Sequence, residues 1–283
     1  MLRNVKTYHK PTTIEDAVAL VQSNPNAAYL GGGAWIVAQG NPALETLIDL
    51  QEAGIGGIEG NLEGVRVGAM ATLQALIDHR DTASLAQGIL ATAAQYTQSR
   101  NLREQGTLGG TLIVAGPADP LTTALMVLDT DITYADPVLH TAPFTSFVAY
   151  RERLIKTKVL ITGVYIRRPP ARSAAAFEVV GRSPKDKPIV CAAAYIVVDE
   201  GLPREVRVVV GGANPQPTRL HKTEHLLKGQ LLTSERVTGA LEPALAELQP
   251  PADFRGSAEY RLEMAEVLAR RALLSAWDRA RRM

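Results

Sequence analysis

Apolar residues along this chain recur at two spacings, and the alternation between them predicts a mixture of short strands and helices. Ile14, Ala17, Val18 and Val21 repeat at helical spacing behind Thr12 and Thr13, either of which can cap the first turn, with Pro11 just ahead. Ala28-Tyr29-Leu30, Thr46-Leu47-Ile48-Asp49-Leu50 and Val65-Arg66-Val67-Gly68-Ala69 read as brief strands. Thr72 predicts the cap of a helix over 73–79, and Ser84 the cap of a longer helix running to 94. The stretch 99–106 shows no period and reads as irregular. Asp119-Pro120 predicts a helix start, with Asp as N-cap and Pro in the first helical position, followed by Leu121, Leu125, Val127 and Leu128. Ile132-Thr133-Tyr134 and the run 159–166 read as strands.

Arg167-Arg168-Pro169-Pro170 interrupts this pattern, because two prolines block a helix and favour an extended linker. Beyond it lie three strand candidates, at 175–180, 189–198 and 206–210, then two helices. One covers about 234–248. The other starts near Ser257 and carries Tyr260, Met264, Val267, Leu268 and Leu274 at helical spacing. Its last residues, Arg279, Arg281 and Arg282, complement the helix dipole and read as a solvated terminus. A strand trio followed by two helices is an α+β pattern. No internal repeat or low-complexity segment is visible.

Composition narrows the class. The 283 residues are 46% apolar and 21% charged, as in an ordinary globular protein long enough for one large or two moderate domains. A formal net charge of +1 gives no electrostatic case for nucleic acid or an anionic membrane. No apolar run approaches the roughly 20 residues of a membrane span. The first six residues lack the apolar core of a secretory signal, so the cytoplasm is expected. The single cysteine, Cys191, lies in an apolar run and reads as a buried structural thiol, with no Cys-x-x-Cys pair to hold zinc or an iron–sulfur cluster.

Against this background two glycine clusters stand out: Gly31-Gly32-Gly33, and Gly109-Gly110 within Thr107-Leu108-Gly109-Gly110-Thr111. Without a Cβ, consecutive N–H groups can converge on an anion, so two such loops could grip one pyrophosphate. Other apparent motifs fail. Gly54-Ile55-Gly56-Gly57-Ile58-Glu59-Gly60 has Glu59 where a dinucleotide fingerprint needs its third glycine, and reads as a loop between strands. His221-Lys222-Thr223-Glu224-His225 spells an inverted zinc-protease pattern, but Pro215 and Pro217 upstream and Gly229 downstream leave room only for a short surface helix. His9, His79 and His140 have no partners nearby in sequence. Neither a P-loop nor a Gly-x-Ser-x-Gly elbow occurs.

The order of the remaining motifs carries a resemblance. Leu30-Gly31-Gly32-Gly33-Ala34-Trp35-Ile36 is followed by Gly106-Thr107-Leu108-Gly109-Gly110-Thr111-Leu112 and Gly116-Pro117-Ala118-Asp119. Then come Lys185-Asp186-Lys187-Pro188-Ile189-Val190-Cys191 and Gly211-Gly212-Ala213-Asn214-Pro215-Gln216-Pro217-Thr218-Arg219. Over almost its whole length the chain resembles the FAD-binding (medium) subunit of molybdenum hydroxylases, the xanthine dehydrogenase and carbon monoxide dehydrogenase family. The resemblance implies an FAD-binding domain over 1–168 of the vanillyl-alcohol-oxidase (PCMH) kind, with subdomains of about 1–55 and 56–168. It also implies a C-terminal flavoprotein domain over 171–283, with a three-stranded sheet and helices.

The cofactor residues it implies are Gly31, Gly32, Gly33, Ala34 and Trp35, then Thr107, Leu108, Gly109, Gly110 and Thr111, at the pyrophosphate and ribityl region. Asp119 matches a family Asp at the cofactor and equally fits a plain N-cap. Leu160 or Ile161 matches a strand whose backbone lies near the flavin ring. Ala34 and Trp35 stand where the family commonly has hydroxyl, His or Asp side chains, Thr111 where it often has Asn or Asp, and Val159 where Glu is usual. No catalytic dyad or nucleophile is expected.

The resemblance further implies an oxidoreductase subunit. Electrons would come from two-iron clusters of a small partner subunit, served by a large molybdopterin subunit, and leave through FAD to NAD or another acceptor. Two alternatives stand beside it. A stand-alone flavin oxidase would call for a dedicated substrate domain and often a covalent flavin link. A flavin-free structural subunit is suggested by Ala34, Trp35 and Val159.

Overall fold

The computed structural model describes residues 2–97, 99–183 and 186–283. The chain forms two compact units interleaved along the sequence. Met1–Asp81, Ser99–Val114 and Thr130–Arg167 build the first, and Thr82–Gln98, Ala115–Asp129 and Arg168–Met283 build the second. The architecture is α+β, as the residue pattern predicts.

The first unit contains two sheets. In a three-stranded parallel sheet, Thr46–Asp49 lies between Thr7–His9 and Ala27–Leu30. This central strand is buried at every position, as expected for a parallel strand covered on both faces. The helix Ile14–Ser23 buries Ala17, Val18 and Val21, and the Thr13 side chain caps it by accepting the Asp16 N–H. A five-stranded antiparallel sheet has the order Ile58–Gly60, Gly64–Gly68, Leu160–Arg167, Thr130–Asp136, Val138–Pro143.

The second unit is built on a four-stranded antiparallel sheet. The three predicted strands run as Ser173–Val180, Val190–Asp199 and Leu202–Gly211, and the two-residue strand Thr218–Arg219 joins them as a fourth. Val190 to Val198 are all buried, because helices cover both faces. On one face Ala192, Ala194 and Ile196 share a core with Ala265, Ala269, Ala272 and Ala276 of the helix Ala258–Ala280. Small residues on both sides let helix and sheet approach closely. On the other face Cys191 meets Thr123 of the helix Pro120–Val127, with Oγ1 and Sγ 3.4 Å apart. Cys191 is fully buried, as expected.

One cation enters this core. Arg261 is 2% exposed. It donates to the carbonyls of Ile189 at 2.8 Å and Gly212 at 3.1 Å, and to Asp253 Oδ1 at 2.7 Å. Burial would raise the Asp253 carboxyl, but hydrogen bonds from Arg255 and Arg261 outweigh it and hold the group well below the usual carboxylate range.

Several elements differ from the sequence reading. The helix expected from Ser84 to 94 is broken. Arg80–Ser84 and Ile89–Gln95 flank a 3-10 turn in which Ala86 and Gln87 have φ of +46° and +59°. A tertiary contact accounts for the break. The Gln87 side-chain amide accepts the Ala175 N–H at 2.8 Å and donates to the Ser173 carbonyl at 3.2 Å. The stretch read as irregular forms the helix Arg100–Gln105, capped by Ser99, which accepts the Leu102 N–H. The strand Val138–Pro143 and the helix Phe144–Lys156 were not anticipated. The helix His221–Leu227 is not a plain surface helix. Its Glu224 is buried, holds Arg219 at 2.9 and 2.7 Å and accepts the Val208 N–H at 3.0 Å. At the C-terminus Arg279 is tied down, donating to the Ala175 carbonyl at 3.0 Å.

Two outcomes follow from this unit. Arg261→Met leaves the Ile189 and Gly212 carbonyls without their donor, and should lower stability by about 3 kcal/mol, read as a lower urea midpoint at unchanged slope. Burial pushes the Cys191 thiol up to about 12 from 9.0. Thiol reagents at mildly alkaline pH should therefore label the protein only on unfolding. The stability this group protects is complete below 9.0 and is lost as pH rises toward about 12, because the unfolded chain releases the proton first; urea titrations across that range test it.

Candidate functional site

The first glycine cluster follows the strand Ala27–Leu30 directly. Gly33, at φ +79°, is the N-cap of the short helix Ala34–Gln39, and Gly40, at φ +61°, closes that helix. None of the helix's side chains is buried, and Trp35 is 50% exposed. Its first-turn N–H groups have no partners within the helix.

The second cluster is not the open loop that the sequence suggested. Leu108–Val114 is a helix, so Gly109 and Gly110 lie in its first turn. Its N–H groups are already engaged. Leu108 donates to the Ala71 carbonyl and Gly109 to the Ala69 carbonyl, both at 2.9 Å. Gly110 donates to Thr107 Oγ1 at 3.2 Å and Thr111 to the Thr107 carbonyl at 2.9 Å. The glycines here serve close packing: a Cβ on Gly109 would stand 2.9 Å from the Cβ of Ala69.

The two clusters meet. A Cβ on Gly32 would lie 1.4 Å from the carbonyl oxygen of Gln105, which ends the helix Arg100–Gln105. A Cβ on Gly31 would lie 2.9 Å from Thr107 Oγ1, and one on Gly110 would lie 3.0 Å from the same atom. The Thr107 hydroxyl thus sits between the clusters. They form one continuous wall rather than two jaws on opposite sides, and Gly32 and Gly110 leave bare backbone at its exposed surface.

The strand Leu160–Arg167 joins the same wall. A bulge between Thr133 and Tyr134 pairs Ile161 with Tyr134 and Gly163 with Thr133, leaving Thr162 as the extra residue. The Thr162 carbonyl accepts the Ala69 N–H at 3.0 Å, and the Ala69 carbonyl accepts from Gly109. Leu160 and Ile161 are themselves buried, so only their backbone could face a ligand. Asp119 belongs to the second unit, where its Oδ1 accepts the Thr122 N–H at 2.8 Å and the Thr122 hydroxyl at 2.7 Å. Ala69, Gln105 and Thr162 were missed in the sequence reading, since they contribute through their backbone and carry no side-chain signature.

Residues 3–169 match the model of the FAD binding domain in molybdopterin dehydrogenase. The chain belongs to this family. Residues 175–276 of this flavoprotein match the CO dehydrogenase flavoprotein C-terminal domain. It is 29% identical over 283 residues to the carbon monoxide dehydrogenase medium chain of Afipia carboxidovorans, covering 97% of each chain. To the 6-hydroxypseudooxynicotine dehydrogenase complex subunit alpha of Paenarthrobacter nicotinovorans it is 28% identical over 284 residues, covering 95% of this chain and 93% of the other. Its fold superposes on carbon monoxide dehydrogenase from Hydrogenophaga pseudoflava with a TM-score of 0.90 at 25% identity, covering 99% of both chains.

Membership makes this an oxidoreductase subunit with FAD as its cofactor. The wall fits such a group, because a nucleotide diphosphate needs backbone that no side chain shields. No helix among the described residues is long and apolar enough to cross a membrane.

Gly32→Ala places a methyl group on a backbone carbonyl that no rotamer change can move aside. It should cost at least about 2 kcal/mol and lower the melting temperature by several degrees, measured by thermal denaturation.

Proposed function

We propose that this chain is the electron-transferring flavin subunit of a cytoplasmic molybdenum hydroxylase complex. In it, a small subunit with two-iron clusters would deliver single electrons, a large molybdopterin subunit would oxidise the substrate, and NAD or another acceptor would receive the electrons. The observation that carries this reading is the junction of the two glycine clusters around the Thr107 hydroxyl, in a chain matched by the family along almost its full length.

When bound, FAD supplies the conversion between one-electron donors and two-electron acceptors. The chain's part is to hold and orient it. Gly31, Gly32 and Gly33 would take the diphosphate against bare backbone, with the first-turn N–H groups of Ala34 and Trp35 as donors. The second cluster contributes differently, since its own N–H groups are engaged. Leu108, Gly109, Gly110 and Thr111 shape the wall, and Thr107 offers its hydroxyl proton. Ala34 brings no hydroxyl, so anion binding rests on backbone donors and Thr107. Trp35 presents a half-exposed indole beside them. The backbone of Leu160 and Ile161 would border the ring, their buried side chains excluding water from behind it.

The purified chain should retain, or take up, one FAD, identified by chromatography after acid release. Thr107→Ala should weaken FAD binding about tenfold, as expected for one lost hydrogen bond to an anionic group, and Thr107→Ser should retain it. Absence of flavin absorbance even after addition of FAD would overturn the reading. Isolation of the native protein together with a molybdopterin subunit and a two-iron subunit tests the complex.

A further inference from the structure

The helix Phe144–Lys156 ends at Thr157, and the chain enters the strand Leu160–Arg167 through Lys158. Lys158 has φ of +56°. Its N–H bonds the Ile155 carbonyl at 3.0 Å, and the next N–H, of Val159, returns to the Leu154 carbonyl at 3.3 Å. This left-handed position just past a helix end is where glycine is strongly favoured, because a Cβ there is strained. A lysine in its place needs a compensating reason.

The side chain supplies one. Its ammonium donates to the carbonyls of Asn24 at 3.1 Å, Pro25 at 2.7 Å and Ala27 at 3.1 Å. An ammonium has three protons, and here each has an acceptor. The first two carbonyls belong to the turn that leads from the helix Ile14–Ser23 into the strand Ala27–Leu30, and the third to that strand's first residue. That strand runs straight into Gly31. At the same corner the Thr157 hydroxyl donates to Asp136 Oδ2 at 2.7 Å, anchoring the helix end to the five-stranded sheet.

We propose that Lys158 is a positioning residue for the flavin site. It locks the turn that feeds the first glycine cluster to the head of the strand carrying Leu160 and Ile161. One side chain thereby sets the separation between the diphosphate-binding turn and the backbone beside the ring. The inference rests on the reading of these elements as the FAD site.

Lys158→Gly tests it on the full chain, because glycine relieves the backbone strain while removing the clamp, so the two effects on stability oppose each other. Amide hydrogen exchange on the flavin-free protein and FAD titration by fluorescence are the readouts. The expected result is exchange about tenfold faster over 27–33, unchanged exchange in the helix Ala258–Ala280, and an FAD dissociation constant raised about tenfold. Lys158→Arg, which keeps a cation with several donors, should fall between. Should the glycine variant fail to fold, Lys158→Met carries the same two readouts. Unchanged exchange over 27–33 would overturn the clamp. Faster exchange with an unchanged FAD constant would overturn its link to the cofactor. A wild-type chain that takes up no FAD would instead fail the site reading, while the exchange data still decide the clamp.

Discussion

The arrangement of the first unit depends on backbone touching backbone. Gly32 lies so close to the Gln105 carbonyl that any side chain would occupy the position of the oxygen, and a Cβ on Gly109 would crowd the Cβ and carbonyl oxygen of Ala69 at 2.9 and 3.3 Å. Segments about seventy and forty residues apart reach this proximity because one partner in each pair is glycine. Once they meet, Thr107 is held between them and the relay from Gly109 through Ala69 to Thr162 ties in the bulged strand. The wall is therefore a single packed object, and its surface chemistry follows from packing as much as from any ligand-directed group.

The second unit solves a similar problem with a charge. Gly212 has φ of +90°, and a Cβ there would lie 2.2 Å from the Ile189 carbonyl. Arg261 binds the carbonyls of both residues from within the core, while the Gly212 N–H reaches the Pro117 carbonyl at 2.7 Å. A buried cation is costly unless its donors are met, and here they are. The glycine turn, the segment ahead of Asp119 and the long C-terminal helix thus share one polar anchor in an otherwise apolar interior.

Much of this was legible in the sequence. Thr13, Thr72, Asp119, Thr233 and Ser257 cap helices through their side chains, and such caps are written in single residues. The run 189–198 announced a strand, with Cys191 within it a buried thiol. Part of what escaped was decided by distant contacts. Nothing local to Ala86 and Gln87 signals a left-handed turn, since the partner of Gln87 is a strand almost ninety residues away. The helix Phe144–Lys156 was written in Phe144, Phe147 and Val148, a spacing that could have been read. The glycine clusters were visible as ligand-binding candidates, but the occupation of the second cluster's N–H groups by Ala69 and Ala71 was not, because carbonyls leave no mark on residue type.

The Gln87 amide has a wider effect. Ser173–Val180 is the outermost strand on its side of the sheet, and such a strand offers unpaired N–H and C=O groups to any passing chain. By presenting one acceptor and one donor to Ala175 and Ser173, Gln87 imitates the neighbour that the strand lacks, and Arg279 occupies a further carbonyl. The opposite border is a two-residue strand that begins directly after Pro217. Each border is thus occupied over part of its length, at Ser173 and Ala175 on one side and at Val209 and Val210 on the other, which shortens the free edge that an alanine- and valine-rich sheet offers to another chain.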